Sequence, residues 1–478
     1  LGDTSVGGTT TLNNLGDVTL GDAPTDNFAL AGGLIASKAS QVNLAGLFST
    51  TNAAINLGDV SLTADTHLSS GSGAISIGML NGSSQLTLGA TGQTGPVTVT
   101  GMVNLTGLVT APAAFAISLT GGATIAQPVT FTNTGLVKLG NASTDAFVFD
   151  GGLTHTAGPT ELGGKLSASN QKITLGALTV SDTSQIDAGS EAIVLADVVA
   201  RQGTQLALGT GNSGLIQLAS FSRDGLTGST VNLTFNTTGA LTVTGAIGQG
   251  VGTLTVAQAD SAVFQGPVGY NGATVTPLAG LVLTSASSAM NFLANLAVTS
   301  LTTGSAAFDL SFTGSKVAIT NGVTLLNTGA VTLGDSATDS LTFAGGLVAT
   351  ASSGIQLGGN LATTNSALKL APVTLVANAS LATGSGSITL NSLSGTGSEN
   401  IAINTTGPLA VSGATSKVNA LTLTNTGGAV FSGPLDAASL AIQDTTGTVS
   451  LPAGATLGSL TTATKAYSLA ITGITVTA

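Results

Sequence analysis

Three short stretches of the chain bring oxygen-bearing side chains to a fixed spacing. They are Gly21-Asp22-Ala23-Pro24-Thr25-Asp26, Gly140-Asn141-Ala142-Ser143-Thr144-Asp145 and Gly334-Asp335-Ser336-Ala337-Thr338-Asp339. Calcium takes six to eight oxygen ligands, and two acidic side chains four residues apart in a turn could supply some of them. Asp22, Asp26, Asp145, Asp335 and Asp339 are therefore the candidate metal ligands, with calcium as the one candidate cofactor. The same residue types also make Asx turns and cap backbone amides at a corner. The second copy carries Asn141 where the others have Asp, no Glu follows to bind bidentately, and the Gly-Gly-x-Gly-x-Asp calcium nonapeptide is absent. The pattern favours a structural turn over an ion site.

Catalytic chemistry finds little to work with. His67 and His155 fall at different places in the pattern, and neither has Ser and Asp companions at an arguable spacing. Arg201, Arg223 and Tyr270 lie in the middle of the chain, where they read as solvated side chains or as marks of a binding protrusion. Acid–base catalysis needs a carboxylate pair or basic groups on one face. No catalytic residue is assigned and no enzyme is expected. The alternative reading is a carbohydrate-active β-helix enzyme of the lyase or glycosidase type. Asn-x-Ser/Thr sequons, Asn81 and Asn104 among them, are what so Asn- and Thr-rich a composition yields.

The elements that position these residues follow from composition and repeats. Of 478 residues only 6% are charged, against roughly 25% in an average globular protein, yet 42% are hydrophobic and mean hydropathy is +0.48. A disordered chain has the opposite balance. Val and Thr suit strands, Gly and Asn suit turns, and no stripe of helical period is present, so the class is all-β. Ten basic residues, scattered within a net charge of −11, form no patch for nucleic acid. There is no Cys for disulfides, and no apolar run long enough to span a membrane as a helix. The chain begins at Leu1 rather than Met, as expected of a segment of a longer protein.

The acidic corner heads three long repeats, 18–136, 137–330 and 331–478, within what is expected to be one continuous solenoid over 1–478. Each corner is followed by Gly-Gly-Leu and then by a second marker pair, Asn52 with Gly71, Asn170 with Gly189 and Asn365 with Gly384. The middle repeat holds inserted residues, which a solenoid accepts because each coil touches only its neighbours. A shorter beat of 20 residues runs inside the repeats, in Ile55 to Ile75, Ile173 to Ile193 and Leu368 to Ile388. Pro96, Pro128, Pro267, Pro372, Pro408 and Pro434 each precede an aliphatic strand start, where a missing donor is tolerated. The beat predicts a parallel β-helix of about 24 coils, roughly 115 Å long at ~4.8 Å per stacked strand. It also predicts parallel pairing at each of the three 20-residue steps, and like corners for Asp26, Asp145 and Asp339. A β-sandwich array is the competing architecture, disfavoured by the absence of Trp.

The stretches Thr132-Asn133-Thr134-Gly135, Asn327-Thr328-Gly329-Ala330-Val331-Thr332-Leu333, GSGSITL and TGPLAVSG resemble the strand repeats of bacterial filamentous-haemagglutinin-like exoproteins. The resemblance implies a right-handed parallel β-helix, secretion, and a fibrous or adhesive role at the cell surface. The secretion domain of that family, with its Asn-Pro-Asn-Gly motif, does not occur in this sequence, nor does a C-terminal barrel. The expected partners are further copies, by axial stacking or lateral bundling, together with glycans of a host or neighbouring cell surface. Axial stacking follows from the strand-like ends, Leu1–Val6 and Leu469–Ala478, which would present open edges. The expected location is extracellular.

Overall fold

The computed structural model describes residues 3–225 and 227–476. Leu1, Gly2, Thr477 and Ala478, on which the open-edge expectation in part rests, lie outside them. The fold is an all-β parallel β-solenoid with about 24 turns of roughly 20 residues and, among the described residues, no helix. The chain forms two compact units, Leu1–Ala240 and Leu241–Ala478.

In the first unit each turn visits three walls. Wall A holds Asn27–Leu30 and Ile173–Leu175, wall B holds Leu34–Ala36 and Ile55–Leu57, and wall C holds Val18–Leu20 and Ala123–Ile125. Every pairing within these walls is parallel, for example Val97 on Ile117 on Val137 along wall B. Many strands are short because Gly, Asn or Pro interrupts them at a corner, while others, such as Val60–Ser69, run through a corner from wall C to wall A. A three-residue strand such as Ile173-Thr174-Leu175 points two aliphatics inward and one hydroxyl outward, by the period of two. Ile173 and Leu175 are accordingly buried at 0% and 1% exposure. The core is thus a set of aliphatic columns running coil to coil, with Phe where a column has room. Phe28 and Phe48 stack with ring centroids 4.6 Å apart.

The second unit repeats the plan on walls D, E and F. Wall D runs through Ala289–Phe292, Asp309–Phe312 and Val331–Leu333; wall E through Ser340–Phe343 and Asn400–Thr405; wall F through Leu368–Leu370 and Ile388–Leu390. Phe264, Phe292 and Phe312 form a continued stack on wall D, at 4.7 and 5.5 Å. One small antiparallel pair departs from the pattern, Tyr270–Asn271 with Thr274–Val275, a hairpin standing off the coil.

The three 20-residue steps pair as expected: Ile55 with Ile75, Ile173 with Ile193 and Leu368 with Ile388 are parallel Cα partners. The prolines also sit where the ladder asks nothing of their nitrogen. Their carbonyls remain in use: Pro96 O accepts from Ile75 N at 2.9 Å, Pro372 O from Ile355 N at 2.8 Å and Pro408 O from Ile388 N at 3.0 Å.

The second marker has a physical cause. Asn52 has φ of 58°, and its Oδ1 accepts from Ser72 N of the next coil at 3.0 Å. Gly71 lies against that oxygen at φ of 60°, and a Cβ there would stand 2.4 Å from it. Asn170 with Gly189 and Asn365 with Gly384 repeat the arrangement. Asn tolerates the left-handed conformation and Gly alone fits beneath its side chain. The 19-residue interval between the two markers is therefore a contact between adjacent coils.

The long repeat does not span a whole number of turns. The first acidic corner joins wall C to wall A, between Val18–Leu20 and Asn27–Leu30. The second joins wall B to wall C, between Val137–Leu139 and Ala146–Phe149. All three walls ask for the same inward aliphatics, so one corner sequence serves at different corners.

Candidate functional site: the acidic corners

At each corner the second acidic residue folds back on the start of its own turn. Asp26 Oδ2 accepts from Asp22 N at 2.9 Å and from Ala23 N at 3.2 Å. Asp145 Oδ2 accepts from Asn141 N at 2.8 Å and Ala142 N at 3.1 Å. Asp339 Oδ2 accepts from Asp335 N and Ser336 N, both at 3.0 Å. Asp26, Asp145 and Asp339 thus occupy like corners. The backbone closes the same turns, with the NH of each Asp donating to the carbonyl of Ala23, Ala142 or Ser336. Each Asp carbonyl then accepts from the next coil, at Leu47 N, Lys165 N and Asn360 N respectively.

The glycine that opens the corner is required. Gly334 has φ of +71°, and a Cβ there would come 2.3 Å from Gly358 O of the next coil. Gly21 and Gly140 meet the same obstacle at 2.1 Å. Leu-Gly-Asp-x-x-Thr-Asp is therefore the sequence of a capped, tightly stacked corner.

The electrostatics follow from these bonds. The amide of Asp22 holds the Asp26 carboxyl below its ordinary value, ahead of the opposing effect of desolvation. Asp335 moves the other way: desolvation raises it first, and the Asp339 charge adds to the rise. As calcium ligands the corners are short of oxygens. One oxygen of each inner carboxylate is already held by two amides, and among the described residues no group of three or more His, Asp or Glu side chains gathers.

A related corner escaped the sequence reading. Glu399 takes the place of the inner Asp before the wall E strand Asn400–Thr405. Its Oε2 accepts from Thr396 N at 2.6 Å; its Oε1 accepts from the hydroxyls of Thr396 at 2.7 Å and Ser398 at 2.8 Å. These bonds, led by the Thr396 hydroxyl, lower its pKa to about 2. The run Ser394-Gly395-Thr396-Gly397-Ser398-Glu399 lacks both Leu-Gly-Asp and Thr-Asp. The available signal was the acid three residues after a hydroxyl and directly before a strand.

The other polar residues are taken up by the framework. His67 faces outward, its Nε2 2.6 Å from Gly89 O. His155 is buried on wall A, its Nδ1 2.8 Å from Thr160 Oγ1 and its ring edge-on to Phe131, and burial lowers its pKa. Arg201 is exposed, as expected, though not isolated, while Arg223 is buried, contrary to expectation. Arg201 pairs with Glu161 at 3.0 Å, and Lys138 meets the other oxygen of the same carboxylate at 2.8 Å. Arg223 stacks over buried Ala200, whose small side chain leaves it room, and its Nη1 donates to Gly228 O at 2.7 Å. Tyr270 is buried at the base of the hairpin, which raises its pKa. The structure does not bring His67, His155, Arg201, Arg223 and Tyr270 together into one constellation. Compared with models of protein families, with curated proteins and with solved structures, the chain matches none.

Proposed function

We propose that this chain is a structural, non-catalytic segment of an extracellular bacterial surface fibre or large adhesin. The observation that carries the reading is the outward surface of the coils. Along wall D the outward column runs Asn291, Ser311, Thr332, Gln356, Thr374 and Ser394, uncharged from coil to coil. Wall C carries Ser61, Asn81, Asn104 and Thr124 in the same way. Such columns suit a passive fibre wall, and Arg223 and His155, which an enzyme could have used, are buried in the framework. The resemblance to filamentous-haemagglutinin-like repeats points in the same direction.

Self-association is part of the proposal. With 6% charged residues there is little repulsion between copies, which favours lateral bundling, and coils of this kind extend by continuation of the chain or by axial stacking. The test is mass in dilute solution followed by electron microscopy as concentration rises. Bundles or filaments of coil width are expected. A monomer at every concentration and salt would overturn the self-assembly, and hydrolysis or elimination of a polysaccharide by the pure chain would overturn the non-catalytic role.

A further inference from the structure

Wall C of the first unit carries a hollow whose polar side chains the fold leaves unused. Its floor is one outward column, Lys165 on Gln185 on Ala207 on Thr234, each the Cα partner of the next. Thr183 and Gln205 form the rim on one side, and Ser143 closes the end. The rim stands proud because the corner of the intervening coil is only Gly163-Gly164, while the corners on either side are longer. Asp182 spans that short coil, its Oδ2 accepting from Ser143 N at 3.2 Å and its Oδ1 from Thr183 N at 2.6 Å. Three coil steps of ~4.8 Å make the floor roughly 14 Å long.

Among the described residues, the side chains of Lys165, Gln185, Gln205, Thr183 and Thr234 make no hydrogen bond or ion pair within the protein. The nearby acids do not neutralise Lys165: Asp182 is held on the amides just named, and Asp145 on those of Asn141 and Ala142. The other two acidic corners serve as internal controls. After the third, Ser380 Oγ donates to Asn360 Oδ1 at 2.6 Å, so that column is spent on itself. After the first, the column begins with exposed Leu47 and continues with His67, which is engaged by Gly89 O. The framework therefore does not require an unpaired cation and two free amides at this position.

We propose that the hollow binds an acidic saccharide, a short oligosaccharide whose carboxylate rests on Lys165 and whose hydroxyls meet Gln185, Gln205 and Thr234. The chemistry selects this class. Lysine is a compact point charge for a carboxylate, and amides and hydroxyls both donate to and accept from sugar hydroxyls. A peptide has less to hold. The wall C strands around the hollow are paired on both sides, so none can be extended by an added strand, and of the four side chains in the floor column only Ala207 is apolar. The proposal does not depend on fibre formation, since binding is read on the dispersed chain.

The test is calorimetric titration of the full chain with a tetramer of galacturonic acid, with a neutral galactose tetramer and inorganic sulfate as comparisons. The acidic tetramer should bind more tightly than the neutral one. Lys165→Gln should weaken the acidic tetramer about tenfold or more, to the level of the neutral sugar, as expected when a charge-assisted bond is lost. Gln205→Ala should weaken both sugars. Lys172→Gln, at an exposed lysine outside the hollow, should change neither, and all three variants should melt with the wild type. The proposal is overturned if the wild type binds neither sugar, if Lys165→Gln leaves the acidic tetramer unaffected, if Lys172→Gln costs as much, or if sulfate binds as well as the tetramer. None of those results bears on the fibre reading.

Discussion

The corners at Asp339 and Glu399 stand before the same wall of the second unit and solve one problem in two ways. Both satisfy amides that a sharp turn would otherwise leave without partners, and both present a carbonyl to the next coil, Asp339 O to Asn360 N and Glu399 O to Asn419 N. The Asp339 corner begins with Gly334 in the left-handed region beneath Gly358 O, and its short carboxylate reaches two backbone amides. The Glu399 corner has, five residues before its acid, Ser394 still in the wall D strand as the partner of Thr374, and its longer side chain collects two hydroxyls and one amide. The first depends on backbone shape, the second on a cluster of side chains. Sensitivity to mutation and to pH should divide accordingly.

The largest difference is expected at the opening residue. Gly334→Ala forces an L side chain into positive φ and into the next coil, and should cost about 2 kcal/mol or more in chemical unfolding. Ser394→Ala removes only the bonds of its hydroxyl to Val373 O and Thr374, and should cost about 1 kcal/mol. Equal losses would show that the two corners do not differ in the way described. Next in size is Asp339→Ala, which leaves the part-buried amides of Asp335 and Ser336 uncapped and should cost about 1–2 kcal/mol.

The pH response should separate the corners further. The Glu399 pKa is lowered in the folded state from 4.5 to about 2. Its contribution is therefore complete above about pH 4.5 and is lost as pH falls from there towards about 2. Glu399→Gln should flatten that limb of a stability–pH curve, and an unchanged limb would count against the hydroxyl cluster. His155 adds an earlier step of the same sign. Burial lowers its pKa, so its neutral form belongs to the fold, and stability should begin to fall as pH drops below its ordinary value of 6.5. His155→Leu should remove this step. The smallest effect is expected from a chelator: with the inner carboxylates held by amides, the melting temperature should not move. A fall in melting temperature would put calcium at the corners after all.

Much of the framework was legible because it depends on near neighbours in a strict beat. Ile55 and Ile75 announce their pairing by spacing and type, and Pro96 marks a strand start by what it lacks. Asn52 and Gly71 were visible as markers, but that they touch could be known only from the stacking of coils. What stayed hidden depends on which wall a residue meets. The rotation of the second repeat onto new walls leaves no trace in the spacing of its motifs. Arg223 reads as a surface residue until Ala200 is placed beneath it. The hollow at Lys165 exists because Gly163-Gly164 shortens one corner between two longer ones, a comparison of three coils that no single stretch contains.

Parallel, in-register stacking of coils underlies every corner and column of this structure, and the absence of Cys makes one test of it clean. Thr154 and Thr174 are outward-facing Cα partners in adjacent coils of wall A, and Val194 is the partner of Thr174 one coil further on. Partners at ~4.8 Å lie within the range a disulfide bridges, and positions two coils apart, at roughly 9.6 Å, do not. The Thr154→Cys/Thr174→Cys variant should close a crosslink within the monomer on mild oxidation, while Thr154→Cys/Val194→Cys should keep free thiols. A crosslink in the second pair and none in the first would contradict the register on which every site in this structure depends.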